Sequence, residues 1–370
     1  MSPTAAPAGD IPSLNGIRAL AVMLVFLAHA GLENLVPGGL GVTMFFVLSG
    51  YLITTLMLIE YRQRGQVDLG AFYLRRMLRL MPPLALVLLT TWLLGAAGWI
   101  DGSYTPAGFL SVLFYFGNYY VIAHDFNGVP AGIGVVWSLA VEEHYYLLYP
   151  WLALPLLQMR RPQLSAAMLG ALCVAVLGWR YWLATRGAPE AHLIMATDAR
   201  LDAILYGCIL ALVANPWLAP PRQRSSRRDA VIAIACTLML LGSLLERDPL
   251  FRVTLRYTLQ CLAVSGLLYL AVARAADAPF RWLNLRPVVY VGTISYSIYL
   301  THHVLLFAAA RYLPATHPLI VAVIAALLTL TVAELMRRHV EEPCARLRRR
   351  LHHARTRPAP LQSSTQVTLQ

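Results

Sequence analysis

The chain contains no lysine. Its 30 basic residues are all arginine, which excludes a Schiff-base lysine and a phosphate-loop lysine. Charge of either sign is scarce: 13% of the 370 residues are charged, against about 25% in an ordinary soluble domain. A disordered protein, a nucleic-acid-binding module and an ordinary cytosolic enzyme are all excluded by that composition. The five cysteines form no C-x-x-C or Cys/His spacing, so metal and dithiol chemistry find no support, and they read as small buried hydrophobes. The first sixteen residues lack a basic n-region and a small-residue cleavage site, so no cleaved signal peptide is expected. No G-x-S-x-G elbow surrounds Ser49, which weakens a serine nucleophile. No internal repeat is visible, which weakens an inverted-repeat transporter.

What is abundant is apolar surface. Hydrophobic residues make up 58% of the chain and mean hydropathy is +0.59. A bilayer-spanning helix needs about 20 mostly apolar residues. Eleven hydrophobic segments present themselves, at residues 17–35, 40–59, 78–99, 109–122, 136–157, 164–183, 201–218, 230–245, 255–273, 288–310 and 319–336. The fourth is short and aromatic, and the arginines decide whether it crosses. If it does not, and the N-terminus is cytoplasmic, 23 arginines fall inside and 7 outside, a clear positive-inside pattern. If it crossed, every later loop would invert. The expected fold is therefore all-α: a polytopic membrane protein of about ten transmembrane helices with both termini cytoplasmic. Residues 109–122 are expected to be interfacial or re-entrant on the outer side. Residues 1–11 form a cytoplasmic tail, 12–340 the transmembrane domain, and 341–370 a basic, then polar, cytoplasmic tail.

Ionisable groups inside a span are expensive and are candidates for function. His29 lies in the first span, with Arg18 eleven residues before it. Eleven steps of about 100° return to nearly the same helix face, with a rise of about 16 Å. An imidazole titrates near neutrality and suits a general base or nucleophile; a helix-packing histidine is the plainer reading. Ser49-Gly50 in the second span reads either as a small-residue packing notch or as a point of close approach for a ligand. Arg76 and Arg79 lie three apart, on one face of a helical turn at the cytoplasmic interface. They read as topology signals or as a clamp on a phosphorylated cytosolic donor, since guanidinium forks match phosphate.

Adjacent carboxylates Glu142 and Glu143, beside His144, sit at the outer end of the span 136–157, and Tyr146 shares a face with Glu142 at i,i+4. Arg200 and Asp202 open the span 201–218 and are candidates to pair with that cluster. His302 is placed in the outer half of the span 288–310. His302-His303 hints at a metal, but adjacent helical residues point about 100° apart, so no metal is expected. The outer-half residues and the inner arginines together suggest a cytosolic donor and an extracytoplasmic acceptor.

These blocks together resemble the acyltransferase-3 family of bacterial membrane O-acyltransferases. The matching residues are Ser13–Val22, the Arg-x10-His pair of Arg18 and His29, Phe45-Phe46 with Ser49-Gly50-Tyr51-Leu52, and Arg76-x-x-Arg79 with Pro82. They continue with Trp137-Ser138-Leu139 and Glu142-Glu143, then Arg200-x-Asp202, then Ser295-Tyr296 with Tyr299-Leu300 and His302. The resemblance covers roughly residues 12–340. It implies transfer of an acyl group, most often acetyl from acetyl-CoA, to a hydroxyl of a carbohydrate or glycosylated acceptor in the bacterial inner membrane. It implies no nucleic-acid partner.

Under that resemblance the catalytic candidates are His29, Arg18, Glu142 and Glu143, with Glu142 or Glu143 orienting His29 or binding sugar hydroxyls. Arg76, Arg79, Ser49 and Gly50 are the donor-binding candidates. Arg200, Asp202, Tyr146 and His302 are the acceptor-binding candidates. His29 is expected to deprotonate the acceptor or to relay the acyl group as an acyl-histidine. Many relatives carry a further C-terminal periplasmic hydrolase-like domain, to which residues 341–370 are expected to have no counterpart. The rival function, from another class, is a transporter or flippase for a lipid-linked saccharide.

Overall fold

The computed structural model describes residues 11–219 and 226–356, with side chains to residue 351. The N-terminal tail to residue 10, Arg222, Arg224 and the end of the C-terminal tail lie outside the described residues. Among the described residues the chain is helical, without strands apart from one isolated bridge between Gly102 and Pro130. In chain order the α-helices are α1 Leu14–Leu27, α2 Gly38–Arg64, α3 Leu69–Ala96, α4 Pro106–Leu113, α5 Gly117–His124 and α6 Trp137–Gln158. Next come α7 Pro162–Thr185, α8 Glu190–Met195, α9 Thr197–Arg200, α10 Asp202–Val213, α11 Ser226–Leu245 and α12 Pro249–Val253. The last are α13 Leu255–Ala273, α14 Arg286–Thr293, α15 Ser295–Tyr312, α16 Pro318–Met336 and α17 Glu342–Thr356.

Among the described residues, seven helical segments are long and apolar enough to cross a bilayer: Leu14–Leu32, Gly38–Arg64, Leu69–Ala96, Pro162–Thr185, Ser226–Leu245, Leu255–Ala273 and the apolar part of Pro318–Leu351. Several turn broad apolar faces outward. Helix α11 buries only Asp229 and Ser243 and exposes Val231, Ile234, Leu238 and Leu241. Such a face is untenable in water and suits lipid, as expected of a multi-pass membrane protein.

Three of the ten expected spans differ from this pattern for identifiable reasons. Helix α6 carries Glu142, Glu143 and His144, which lower its hydropathy. The expected span 201–218 is helical only from Asp202 to Val213, about 18 Å of helix against a hydrocarbon core of about 30 Å. The expected span 288–310 breaks at Ile294 into α14 and α15. The aromatic segment 109–122 is divided between α4 and α5, two eight-residue helices. Tyr115, at φ 62°, turns the chain between them. Each is about 12 Å long, too short to cross.

The core gathers α1, α2, α6, α10, α13 and α15. Helices α2 and α10 meet glycine to glycine: a Cβ on Gly50 would lie 1.9 Å from the Ile204 carbonyl oxygen, and one on Gly207 2.0 Å from that of Val47. Gly50 is thus the packing notch of the two readings and faces α10. Its expected donor-binding role is not what the structure places there. The start of α1 is pinned by Ser13, whose N–H donates to Asn284 Oδ1 at 2.7 Å and whose hydroxyl donates to the Ala271 carbonyl at 2.7 Å. That anchorage fixes the turn from which Arg18 projects.

Candidate active site

Five helices converge on a cavity of about 70 Å³. Arg18 reaches it from α1, Ser49 from α2, Arg76 and Arg79 from α3, and Glu142 and Tyr146 from α6. Six residues that the sequence singled out in separate segments are therefore neighbours. Ser138 of α6 and Ser295, Tyr296 and Tyr299 of α15 complete the wall. The i,i+3 spacing of Arg76 and Arg79 puts both on this side of α3, as a helical turn requires.

The charges of this cavity are unbalanced. Glu142 is held by its neighbours: Ser49 Oγ donates to Oε1 at 3.0 Å, and the Tyr146 hydroxyl donates to Oε2 at 3.3 Å. Arg18 donates to the neutral Asn15 Oδ1 at 3.0 Å. The Arg76 guanidinium lies 5.3 Å from the Tyr146 ring centroid and 5.9 Å from that of Phe72. Among the described residues, neither Arg76 nor Arg79 has a hydrogen-bond or ion-pair partner. Three guanidiniums against one carboxylate leave the wall positive, with unspent fork donors. That is the donor set that phosphate groups require.

His29 occupies a second compartment. It follows α1 in a π-helical turn, Ala28–Leu32, that contains Gly31 at φ 93°. Such bulges are frequent at functional sites because they turn a side chain away from the regular helix register. The ring faces a cavity of about 350 Å³ that it shares with His303, Phe307 and Leu313.

Its hydrogen bonds fix its tautomer. His302 Nδ1 lies 2.8 Å from the Tyr299 carbonyl oxygen, which only accepts, so Nδ1 carries the proton and Nε2 is left with a lone pair. His29 Nδ1 lies 3.1 Å from that Nε2 and must therefore donate to it. The remaining nitrogen of His29, Nε2, then keeps a lone pair, as a general base or nucleophile requires.

Tyr299 joins the two compartments. Its side chain lines the arginine cavity while its carbonyl orients His302. Its hydroxyl donates to the Val135 carbonyl at 2.8 Å and accepts from Ser138 at 2.8 Å. Tyr296 donates to the Leu80 carbonyl at 2.7 Å, tying α15 to α3 beside Arg79. Sequence reasoning did not assign Ser138, Tyr296 or Tyr299, although all three stand in the motifs that carried the resemblance.

Several expected roles need correction. His302 is fully buried with both ring nitrogens engaged, so it cannot touch an acceptor; it orients His29. Glu142, expected at the outer end apart from the inner arginines, instead shares a cavity with Arg76 and Arg79 and not that of His29, whose partner is His302 and neither carboxylate. Glu143 lines neither cavity, and His144 bonds Thr197 at 2.7 Å.

Arg200 and Asp202 do not pair with that cluster or with each other. Asp202 accepts two hydrogen bonds at 3.1 Å from Arg180, with both side chains fully buried. Arg200 lies 3.6 Å from the Tyr257 ring centroid and donates to Thr43 Oγ1 at 3.3 Å. Burial among helices α2, α7, α10 and α13 removes both residues from either cavity. Arg180 was the residue missed here. Its position within the apolar run 164–183 was the available signal, since an ionisable group inside a span needs a partner.

Comparison with known proteins finds a family and curated relatives. A family model described as an acyltransferase domain matches residues 11–338. A peptidoglycan O-acetyltransferase of Listeria monocytogenes is 29% identical over 351 residues, covering 90% of this chain and 55% of that protein. An O-acetyltransferase of Staphylococcus aureus is 30% identical over 349 residues, covering 90% of this chain and 57% of that protein. The chain spans a little over half the length of these curated relatives. No solved structure matches it.

Proposed function

Because the chain belongs to the acyltransferase family whose model covers residues 11–338, we propose that it transfers an acyl group, acetyl from acetyl-CoA, to a hydroxyl of a carbohydrate acceptor. The relatives' names support O-acetyl transfer, and one specifies peptidoglycan. The observation that carries the reading is the pairing of two compartments across Tyr299: unpaired arginines on one side and a histidine of fixed tautomer on the other. In this reading the protein is a ten-span bacterial inner-membrane enzyme with both termini cytoplasmic, and the arginine cavity opens toward the cytosol.

Arg76 and Arg79 hold the donor's phosphates, with Arg18 deeper beside them. A cavity of about 70 Å³ takes the thioester arm and leaves the nucleotide at the mouth, where Arg79 is exposed. Glu142, fixed by Ser49 and Tyr146, orients the arm beneath the arginines. His29 Nε2 removes the proton from the acceptor hydroxyl, whose oxygen attacks the thioester carbonyl. The C–O bond forms, the C–S bond breaks, and the imidazolium returns its proton to the departing thiolate. The same lone pair serves the relay variant, in which His29 first takes the acyl group and then yields it to the acceptor. No observation favours the transporter or flippase alternative.

The test uses the full chain in nanodiscs with [14C]acetyl-CoA and a peptidoglycan-derived muropeptide or other oligosaccharide. The expected result is an alkali-labile acetyl ester on the sugar with one CoA thiol released per ester. Thiol release without ester, or neither product across a panel of surface glycans, contradicts the reading.

A further inference from the structure

A third cavity, of about 490 Å³, runs between α1 and α16 and is lined almost wholly by apolar side chains, Val22 and Phe26 on one wall, Ala322, Ala326 and Leu330 on the other. It begins at His317 and Pro318, where α16 starts, and ends near Leu330. Twelve residues of helix rise about 18 Å, close to half of a hydrocarbon core of about 30 Å. The groove is thus one leaflet deep.

Its upper end is continuous with the compartment of His29. Ala30, Pro318 and Ala322 line both cavities. In the histidine compartment His303 Nδ1 is buried without a hydrogen-bond partner among the described residues. A chamber in which His29, His303 and Thr316 supply the polar groups thus adjoins an apolar trench of leaflet depth. That is the shape of an amphiphile, with a hydrogen-bonding head and a hydrocarbon tail.

We propose that this groove binds the hydrocarbon chain of the acceptor, so that a saccharide carrying a lipid anchor presents its hydroxyl to His29 while its chain lies between α1 and α16. The proposal rests on the acyl-transfer reading and adds a substrate class to it: the acceptor reaches His29 from within the bilayer. Ala322 and Ala326 keep the trench open, because any larger side chain at either position projects into it.

Two probes of identical sugar test this, N-acetylglucosamine and its dodecyl glycoside, with the full chain in phosphatidylglycerol and phosphatidylethanolamine nanodiscs. Ala326→Trp is expected to lower kcat/KM for the dodecyl glycoside at least tenfold while leaving transfer to the free sugar within twofold. Leu328→Trp, on the exposed face of α16, should leave both unchanged. Independently, a dodecyl glycoside with a diazirine at the chain end should label wild-type residues 318–330, with unlabelled glycoside competing. Equal loss for both sugars in Ala326→Trp, or labelling no stronger at 318–330 than on lipid-facing α11, overturns the proposal and leaves only annular lipid in the groove. If wild type acetylates neither probe, the acyl-transfer reading fails for these sugars, and the labelling pattern still decides the groove.

Discussion

Replacing His302 by phenylalanine removes the ring acceptor opposite His29 Nδ1 and keeps a ring in a fully buried position. The His29 Nδ1 proton, 3.1 Å from His302 Nε2 in the wild type, loses that partner. A hydrogen bond between neutral groups contributes about 0.5–1.5 kcal/mol, and a sheltered donor left unsatisfied costs about 1–3 kcal/mol. Taking about 1–2 kcal/mol for this part-buried pair, and about 1.4 kcal/mol per tenfold, the tautomer balance shifts about 5- to 30-fold toward protonation at Nε2. Only the other tautomer can act as base, so kcat should fall, by at most that factor, as the active fraction of His29 drops. The KM for acetyl-CoA should stay within about twofold, because His302 does not line the arginine cavity. His302→Gln returns an acceptor oxygen near the Nε2 position and should recover most of kcat. Steady-state kinetics and 15N-histidine NMR of the variants are the assays. The tautomer argument is refuted if His302→Phe keeps wild-type kcat, or if Gln rescues no better than Phe while the NMR shows His29 still protonated at Nδ1.

Further outcomes follow from the same geometry. Arg76→Gln and Arg79→Gln each remove a charge-assisted contact of about 1.5–3 kcal/mol, so the KM for acetyl-CoA should rise about 10- to 100-fold with a smaller change in kcat; an unchanged KM in both contradicts the phosphate role. Asp202→Ala leaves Arg180 buried and unpaired, a loss of about 3–5 kcal/mol, so thermal melting in detergent should show marked destabilisation. Unaltered melting with selective loss of acceptor turnover would instead restore Asp202 to the acceptor site. Gly50→Leu should abolish folded, monodisperse protein on gel filtration, since even a Cβ there meets the Ile204 backbone; a well-folded variant contradicts the α2–α10 crossing. Glu142→Gln keeps two acceptor sites on one oxygen and should lower kcat less than Glu142→Ala, which also frees Ser49 and Tyr146.

Much of this arrangement is legible in the sequence because local rules decide it. The spacing of Arg76 and Arg79 fixes a shared face on any helix, and Glu142 with Tyr146 does the same. The arginine balance argues against a crossing by the aromatic segment 109–122, and the break at Tyr115 divides it into two short helices. What the sequence hides is which face meets which. Periodicity along α6 places Glu142 and His144 close together but cannot show that one turns to the arginines and the other to Thr197. Arg200 and Asp202 read as partners for the Glu142 cluster, yet residues at i,i+2 point away from each other on a helix: Asp202 finds Arg180 twenty-two positions earlier and Arg200 lies over Tyr257. The role of His302 was hidden for a related reason: only the Tyr299 carbonyl, a backbone group, reveals its tautomer.

The central claim is that His29 Nε2 does the chemistry while the arginine cavity binds the donor. The most direct measurement is His29→Gln in nanodiscs, with acetyl-CoA binding and single-turnover transfer recorded on the same preparation. Binding should stay within about threefold of wild type, while transfer falls by the factor of about 10²–10⁴ that a general base supplies. Undiminished transfer with intact binding, or transfer lost only in proportion to lost binding, contradicts it.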